Sequence, residues 1–224
     1  MTLDPRLSLA CDLYPPVPLA ADIGTDHAHL PIALLKGGAC GRMILTDISP
    51  DALNNARENI ARARLTDRVD FRLGDGLAVL REPVPMISVL GMGGRTISEM
   101  LLQDRAALQG ACLLLSAHTD LPLVRAALRD LGYHLTAEEP CLDAGRYYLL
   151  LRAAPGQAEL SPREIRLGSL LFESRSPVLQ PYLLKRREVL RAKLSGLEKA
   201  AEPDTAAISL LAEDIDYLER RIHP

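Results

Sequence analysis

The sequence has no tryptophan and only two phenylalanines, so aromatic platforms for stacking nucleic-acid bases are scarce. Its four cysteines, Cys11, Cys40, Cys112 and Cys141, stand far apart with no C-x-x-C pair. That spacing suggests neither a zinc site nor a disulfide framework; no metal is expected, and a reducing cytoplasm is the simplest compartment. There is no basic-then-apolar leader pattern at the N-terminus and no apolar run of membrane-spanning length, so no membrane partner is expected. The formal net charge is −3, which leaves any polyanionic partner to be met by a local patch.

What is present suffices for a full core. A chain of 224 residues with 48% hydrophobic and 25% charged content fits one α/β domain and a smaller appendage. It is organised around Leu19 to Pro31, Leu-Ala-Ala-Asp-Ile-Gly-Thr-Asp-His-Ala-His-Leu-Pro. Here an apolar strand ends in Asp22-Ile23-Gly24, a polar turn Thr25-Asp26-His27 follows, and an Ala/Leu pattern of helical type begins. Gly24 leaves room for a ligand against the backbone, and the helix N-terminus offers unpaired N–H groups to a carboxylate or phosphate. One glycine stands where the dinucleotide fingerprint needs three, which argues against a pyrophosphate. A ligand carrying an ammonium and a sulfonium beside a carboxylate suits such an acidic turn, and S-adenosylmethionine is one; an ordinary strand-to-helix loop would use the same residues for turn reasons.

Ahead of this stretch, Leu7, Leu9, Ala10 and Leu13 predict a short helix that caps the domain, ended by Pro15-Pro16-Val17-Pro18. Behind it, Arg42 to Thr46 predicts a second strand ending at Asp47 and Ile48, and Ser49-Pro50-Asp51 supplies N-cap, first-turn proline and first-turn acid of a helix. An acid at that tip suits two ribose hydroxyls, although a solvated loop acid is the plain alternative. Val69 to Leu73 predicts a third strand leading to Gly74-Asp75-Gly76, a turn able to aim the Asp75 carboxylate at an adenine amine. The fourth, Val84 to Leu90, runs into Gly91-Met92-Gly93-Gly94-Arg95-Thr96, where small residues and a thioether leave space for a flat ring. Ala111 to Ser116 is a fifth strand and Leu121 to Leu131 a helix. Tyr133 to Glu139 and Arg146 to Arg152 then form a hairpin over Asp143-Ala144-Gly145. The expected fold is therefore a Rossmann-like, mostly parallel seven-stranded sheet with one antiparallel edge strand and with ligands at the carboxyl ends of the strands.

The last part of the chain changes character. Ala153 to Ser161 reads as a linker, Pro162 to Glu173 and Pro181 to Ala200 as helices, and Ile208, Leu211, Ile215, Leu218 and Ile222 as a coiled-coil seam. The break at Pro203-Asp204 folds these into an antiparallel helical hairpin. The expected division is 1–154 and 155–224. Lys185, Arg186, Arg187, Arg191 and Lys193 cluster on the first long helix, as a solvated face or as a contact to a phosphate backbone.

Taken together, the strand tips resemble those of class I methyltransferases. More closely, Ala21-Asp22-Ile23-Gly24-Thr25-Asp26-His27-Ala28, Gly74-Asp75-Gly76, Gly91-Met92-Gly93-Gly94 and Gly145-Arg146-Tyr147-Tyr148 resemble the bacterial TrmK family. That resemblance implies S-adenosylmethionine as cofactor, methylation of N1 of adenine 22 in the D-arm of tRNA, and a C-terminal coiled-coil-like domain that binds tRNA. It implies that Asp22, Gly24, Thr25, Asp26, His27, Asp47, Ile48, Asp75, Gly76, Gly91 and Met92 hold the cofactor. Asp26, His27, Met92 and Gly93 would flank the reacting atoms, and Arg95, His118, Lys185, Arg186, Arg187, Arg191 and Lys193 would meet tRNA. The chain departs from the pattern at Leu115-Ser116-Ala117-His118-Thr119, where Leu-Gln-Pro-Asn is expected, and at Asp47, where Glu is more usual. Other readings remain: a small-molecule methyltransferase whose helical hairpin is a dimer seam, or a non-catalytic nucleotide- or RNA-binding module. A nicotinamide oxidoreductase lacks its three-glycine turn. A monomer or weak homodimer is expected.

Overall fold

The computed structural model describes residues 3–157 and 159–222. The chain opens with α1 (Pro5–Asp12), started by Asp4, whose Oδ1 accepts the Leu7 N–H at 2.7 Å, and by a first-turn proline. There follow β1 (Val17–Ile23), α2 (His29–Lys36), β2 (Cys40–Asp47), α3 (Pro50–Arg62), β3 (Val69–Leu73), β4 (Met86–Met92), α4 (Gly94–Gln103), α5 (Arg105–Leu108), β5 (Cys112–Ala117) and α6 (Leu121–Asp130). The hairpin is β6 (Tyr133–Asp143) and β7 (Arg146–Pro155), and α7 (Pro162–Leu167), α8 (Leu179–Glu198) and α9 (Thr205–Glu219) complete the chain.

The seven strands form one sheet in the order β3-β2-β1-β4-β5-β7-β6. The first five are parallel, and β7 pairs antiparallel with both β5 and β6. The antiparallel pairing thus lies at one edge of the sheet, with β7 as the reversed strand one place in and β6 outermost. Helices cover both faces, so the central strands are apolar on both sides. Alternate residues divide between the faces: Ala21, Ile23, Ile87, Val89, Leu113 and Leu115 join one core cluster, and Ala20, Met86, Leu114 and Leu150 the other. Because β7 runs backwards, Arg146, Tyr147 and Tyr148 start at the edge where β1, β4 and β5 end.

Two expectations near the C-terminal region need correction. The linker is shorter than Ala153 to Ser161, because Ala153, Ala154 and Pro155 extend β7 opposite Leu135, His134 and Tyr133; Ala158 lies outside the described residues. The helix expected over Pro162 to Glu173 stops at Leu167 and is followed by a separate 3-10 turn, Leu171–Glu173. Gly168 ends it, with a φ of 108° outside the helical range, and Oε2 of Glu138 takes the N–H groups of Leu170 and Leu171 beyond the break at 2.8 and 3.1 Å.

Glu138, on β6, also receives Nε of Arg125 from α6 at 2.7 Å, and both side chains are 0% exposed. Arg125 in turn donates through Nη1 to the Ile165 carbonyl at 3.2 Å. One buried ion pair therefore ties α6, β6, α7 and the 3-10 turn together. Around it, Leu167, Leu171, Leu179, Tyr182, Leu183 and Leu218 belong to the same apolar cluster as the strands. Outside it, Arg166 of α7 grips Asp214 of α9 through Nε at 2.6 Å and Nη2 at 2.9 Å, and α8 and α9 pack as the expected antiparallel pair.

Breaking a buried pair strands the other charge, whereas removing both partners does not. Glu138→Ala is expected to cost about 3–5 kcal/mol in urea unfolding, and the double change Arg125→Met with Glu138→Leu to recover much of that loss. A single-variant cost below about 1 kcal/mol, the range of an exposed pair, would contradict this role for the clamp.

Candidate active site

The turn after β1 is compact and partly left-handed. Gly24, Asp26 and Ala28 have φ of 72°, 43° and 56°, and the Gly24 and Thr25 N–H groups both donate to the Thr46 carbonyl at 2.9 and 3.0 Å. These two donors therefore face β2 and leave the cleft to side chains and to the uncapped first turn of α2. A Cβ on Gly24 would stand 2.4 Å from Cε of Met92. The thioether end can swing aside, so the firmer constraint is the φ of 72°, which an L side chain adopts only with strain.

Asp22 lies at the floor of the cleft, opposite Ser88 in the β1–β4 register, and its Oδ1 accepts the Ser88 hydroxyl at 2.6 Å. Burial pushes its carboxyl up to about 6; Ser88 and Thr25 pull it partway back, and the charge of Asp47 adds to the rise. At the tip of β2, Oδ1 of Asp47 accepts the Ser49 N–H at 2.9 Å, which fixes the carboxylate as α3 begins. Its other oxygen faces the Asp26 N–H at 3.4 Å, a long contact that leaves that oxygen with acceptor capacity to spare. Ile48, beside it, is 68% exposed.

A cavity of about 340 Å³ opens at this edge, lined by Asp22, Gly24, Thr25, Asp26, His27 and Gly91 among the expected residues. Asp26 and His27 are exposed, with Nε2 of His27 3.6 Å from Oδ2 of Asp26, and the His27 ring stacks on His29 at 5.6 Å. Asp75 is exposed at the tip of β3, and it, Asp47, Ile48, Gly76, Met92 and Gly93 lie outside the lining of this cavity. Asp4, Arg6 and His29 line it although no pattern in the sequence pointed to them. Arg6 sits in a short helix that reads as a cap, yet its guanidinium carbon lies 5.1 Å above the Tyr148 ring, and its Nε is buried with no hydrogen-bond partner.

On the far side, the tips of β4 and β5 are stitched by backbone bonds, His118 N–H to the Met92 carbonyl at 2.9 Å and Gly94 N–H to the Thr119 carbonyl at 3.1 Å. Gly94 permits this approach, because a Cβ there would stand 2.4 Å from the Thr119 carbonyl oxygen. The seam holds His118 at the rim, edge-on to Tyr148 with ring centres 5.8 Å apart. His118 also lines two outer cavities, one of about 620 Å³ with Arg146, Tyr147, Tyr148 and Lys185, and one of about 320 Å³ with Tyr147, Tyr182, Lys185 and Arg186. Arg95 is elsewhere, exposed on α4 and 3.9 Å from Glu99.

The basic run of α8 does not act as one face. At about 100° per residue its five cations spread over roughly two-thirds of the helix circumference. Lys185 and Arg186 reach the outer cavities; Lys185 also stands 3.3 Å from Glu188 on the same helix, and Arg186 donates to the Arg166 carbonyl. Arg191 is paired with Glu219 of α9, and Lys193 is exposed. Among the described residues no group of three or more His, Cys, Asp or Glu side chains could hold a metal ion, and no helix is long and apolar enough to cross a membrane.

Two carboxylates at the carboxyl edge of a parallel sheet, one buried under the turn after β1 and one at the tip of β2, suit an ammonium and a ribose diol in a single ligand. This is the arrangement of the Rossmann-like, S-adenosylmethionine-dependent methyltransferases. The sequence matches the TrmK family, tRNA (adenine(22)-N(1))-methyltransferase, over residues 20–219, and the chain belongs to that family. The tRNA (adenine(22)-N(1))-methyltransferase of Bacillus subtilis is 26% identical over 195 residues, covering 86% of this chain and 79% of that protein. A candidate tRNA (m1A22) methyltransferase of Streptococcus pneumoniae, solved in complex with S-adenosyl-L-methionine, superposes with a TM-score of 0.86 at 28% identity, over 99% of this chain and all of that one. The crystal structure of B. subtilis TrmK shares the fold at 23% identity and a TM-score of 0.87, over 99% of each chain.

The raised carboxyl at Asp22 has a consequence for stability. The folded chain keeps that proton to about pH 6, the unfolded chain only to about 4. Between those values the folded state binds more protons, so this group's contribution falls as pH rises and levels off above about 6. The stability of Asp22→Asn relative to wild type, from urea midpoints, is expected to grow from pH 4 to pH 6 and then stay constant. A difference independent of pH would contradict the burial argument.

Proposed function

We propose that the cleft over Asp22 holds S-adenosylmethionine and that adenine 22 of tRNA reaches it past His118; the observation that carries this reading is that His118 lines the cleft and both outer cavities. The chain is an S-adenosylmethionine-dependent enzyme that methylates N1 of that adenine. When bound, the cofactor supplies an electrophilic methyl group on a sulfonium. The residues present fit it. Asp22, with its carboxyl near 6, ionises readily beside an ammonium, and the less occupied oxygen of Asp47 accepts from ribose hydroxyls. Ile48, Asp75 and Gly76 are assigned to its adenine side, and Gly24 and Gly91 leave backbone room.

Adenine N1 carries an in-plane lone pair, so the site needs no strong base; alignment and exclusion of water supply most of the acceleration. A bond forms between N1 and the methyl carbon as the sulfur–carbon bond breaks, and the positive charge passes to the ring. Asp26 stabilises that charge, held in place by the left-handed turn at φ 43°, while His27, 3.6 Å from its carboxylate, orients it. Met92 and Gly93 form the wall against which the base lies. Because N1 is in the Watson–Crick edge, the adenine must be unpaired or extruded, which RNA loops permit at low cost.

Residues 155–224 form the tRNA-binding unit in this account. Lys185 and Arg186, which line the outer cavities, contact phosphates beside the target; Arg187 and Lys193 extend the contact, and Arg191, outside those cavities and tied to Glu219 of α9, adds less. Arg95 lies further along the same edge. The enzyme acts in the cytoplasm as a monomer or weak homodimer.

Incubation of the purified protein with labelled cofactor and unmodified tRNA, followed by nucleoside and fragment mass spectrometry, is expected to give N1-methyladenosine at position 22 alone. Asp26→Asn is expected to keep cofactor affinity and lose turnover at least tenfold. Full turnover by that variant would remove Asp26 from the reaction, and label at another base would overturn the substrate assignment. For tRNA binding, Lys185→Ala should lower the slope of log K against log salt by about 1. Arg191→Ala should change it less, and equal effects would contradict the division of the basic run.

A further inference from the structure

Methylation at N1 leaves one neighbouring handle by which the Watson–Crick edge of adenine can be recognised: the exocyclic amine on the adjacent carbon. The amine is a donor, so the residue that reads it must present an acceptor beside the reacting atom and on the side from which the base enters. Asp26 and His27 line only the inner cavity. Among the described residues, His118 is the one side chain common to the inner cavity and both outer cavities.

Its surroundings fit that task. The backbone of His118 is latched to Met92 at 2.9 Å, and the next residue is latched to Gly94, so the side chain springs from a fixed seam and not from a loose loop. The ring is set by its edge contact with Tyr148, and Tyr148 is itself held from above by the Arg6 guanidinium at 5.1 Å. Among the described residues, no hydrogen bond or ion pair engages either ring nitrogen of His118. An imidazole ring nitrogen without a proton offers a lone pair as acceptor, and the His118 side chain is exposed where the three cavities meet. Nε2 would lie 3.6 Å from a Cβ placed on Gly91, which brings this ring nitrogen to the glycine run where the base is expected to lie.

We infer that His118 is a specificity-determining residue that accepts a hydrogen bond from the exocyclic amine of the target adenine and so distinguishes adenine from purines that lack that donor. The inference rests on the proposed tRNA reading, and the experiment keeps the two separable. Two tRNAs are prepared that differ only at position 22, one with adenine and one with purine riboside, which keeps N1 and lacks the amine. Their dissociation constants are measured with S-adenosylhomocysteine present, so a variant with slow chemistry still reports, and cofactor affinity and thermal unfolding of each variant check the fold.

Loss of one hydrogen bond to a neutral partner corresponds to a change of roughly five- to tenfold in affinity. Wild type is expected to prefer adenine by at least that factor, His118→Ala to bind both tRNAs alike, and His118→Asn, whose amide oxygen can also accept, to retain part of the preference. The same preference in wild type and folded His118→Ala would overturn the inference. So would its loss in Asp26→Asn with His118 intact, which would give the amine to that carboxylate. Failure of wild type to bind either tRNA would instead overturn the reading on which the inference rests.

Discussion

The buried pair of Arg125 and Glu138 is the constraint on which the outer half of the site depends. A fully desolvated carboxylate needs its lone pairs satisfied, and Glu138 meets that need with one guanidinium and two backbone N–H groups. Those N–H groups belong to the chain just past α7, which ends at Gly168, so satisfying the charge also pins the connection that leads to α8. The apolar contacts of Tyr182 and Leu183 then seat α8 against the sheet. As a result Lys185 and Arg186 stand beside Tyr147 and His118.

The reversal of β7 is the second organising feature. A sixth parallel strand in that place would have ended, not begun, at the ligand edge. The antiparallel strand instead delivers Arg146, Tyr147 and Tyr148 there, with adjacent residues on opposite faces of the sheet. Tyr148 turns toward α1 and meets Arg6 and His118, whereas Tyr147 turns toward α8 and meets Tyr182. In a chain without tryptophan, this pair links the cleft over Asp22 to the basic helix.

Much of this was legible in the sequence because it is local. The acid-glycine turn after β1 and the Ser49-Pro50-Asp51 helix start use short-range chemistry and lie where their patterns put them; the glycine run begins earlier in the fold than expected, with Gly91 and Met92 still in β4 and Gly94 opening α4. The parallel core was legible from its uninterrupted apolar runs. What escaped was non-local. Arg6 becomes a lining residue only because α1 packs beside the hairpin, and Glu138 reads as an ordinary strand acid until Arg125 and the Leu170–Leu171 backbone surround it. The run from Lys185 to Lys193 looked like one patch because linear spacing hides helical angle and hides the pairing of Arg191 with α9. The helix expected through Glu173 stops at a local signal, Gly168, whose φ of 108° lies outside the helical range, and the distant Glu138 carboxylate holds the N–H groups beyond it.

The central claim is spatial: the target base passes from the tyrosine-lined outer cavities across His118 into the cleft over Asp22. The most direct measurement is photocrosslinking of tRNA carrying a photoreactive adenine analogue at position 22, with the attached peptides identified by mass spectrometry. The account predicts attachment within the Gly91–Gly94 or Ala117–Thr119 segments, or at Tyr147 and Tyr148. Attachment confined to α9 or to the opposite edge of the sheet would contradict it.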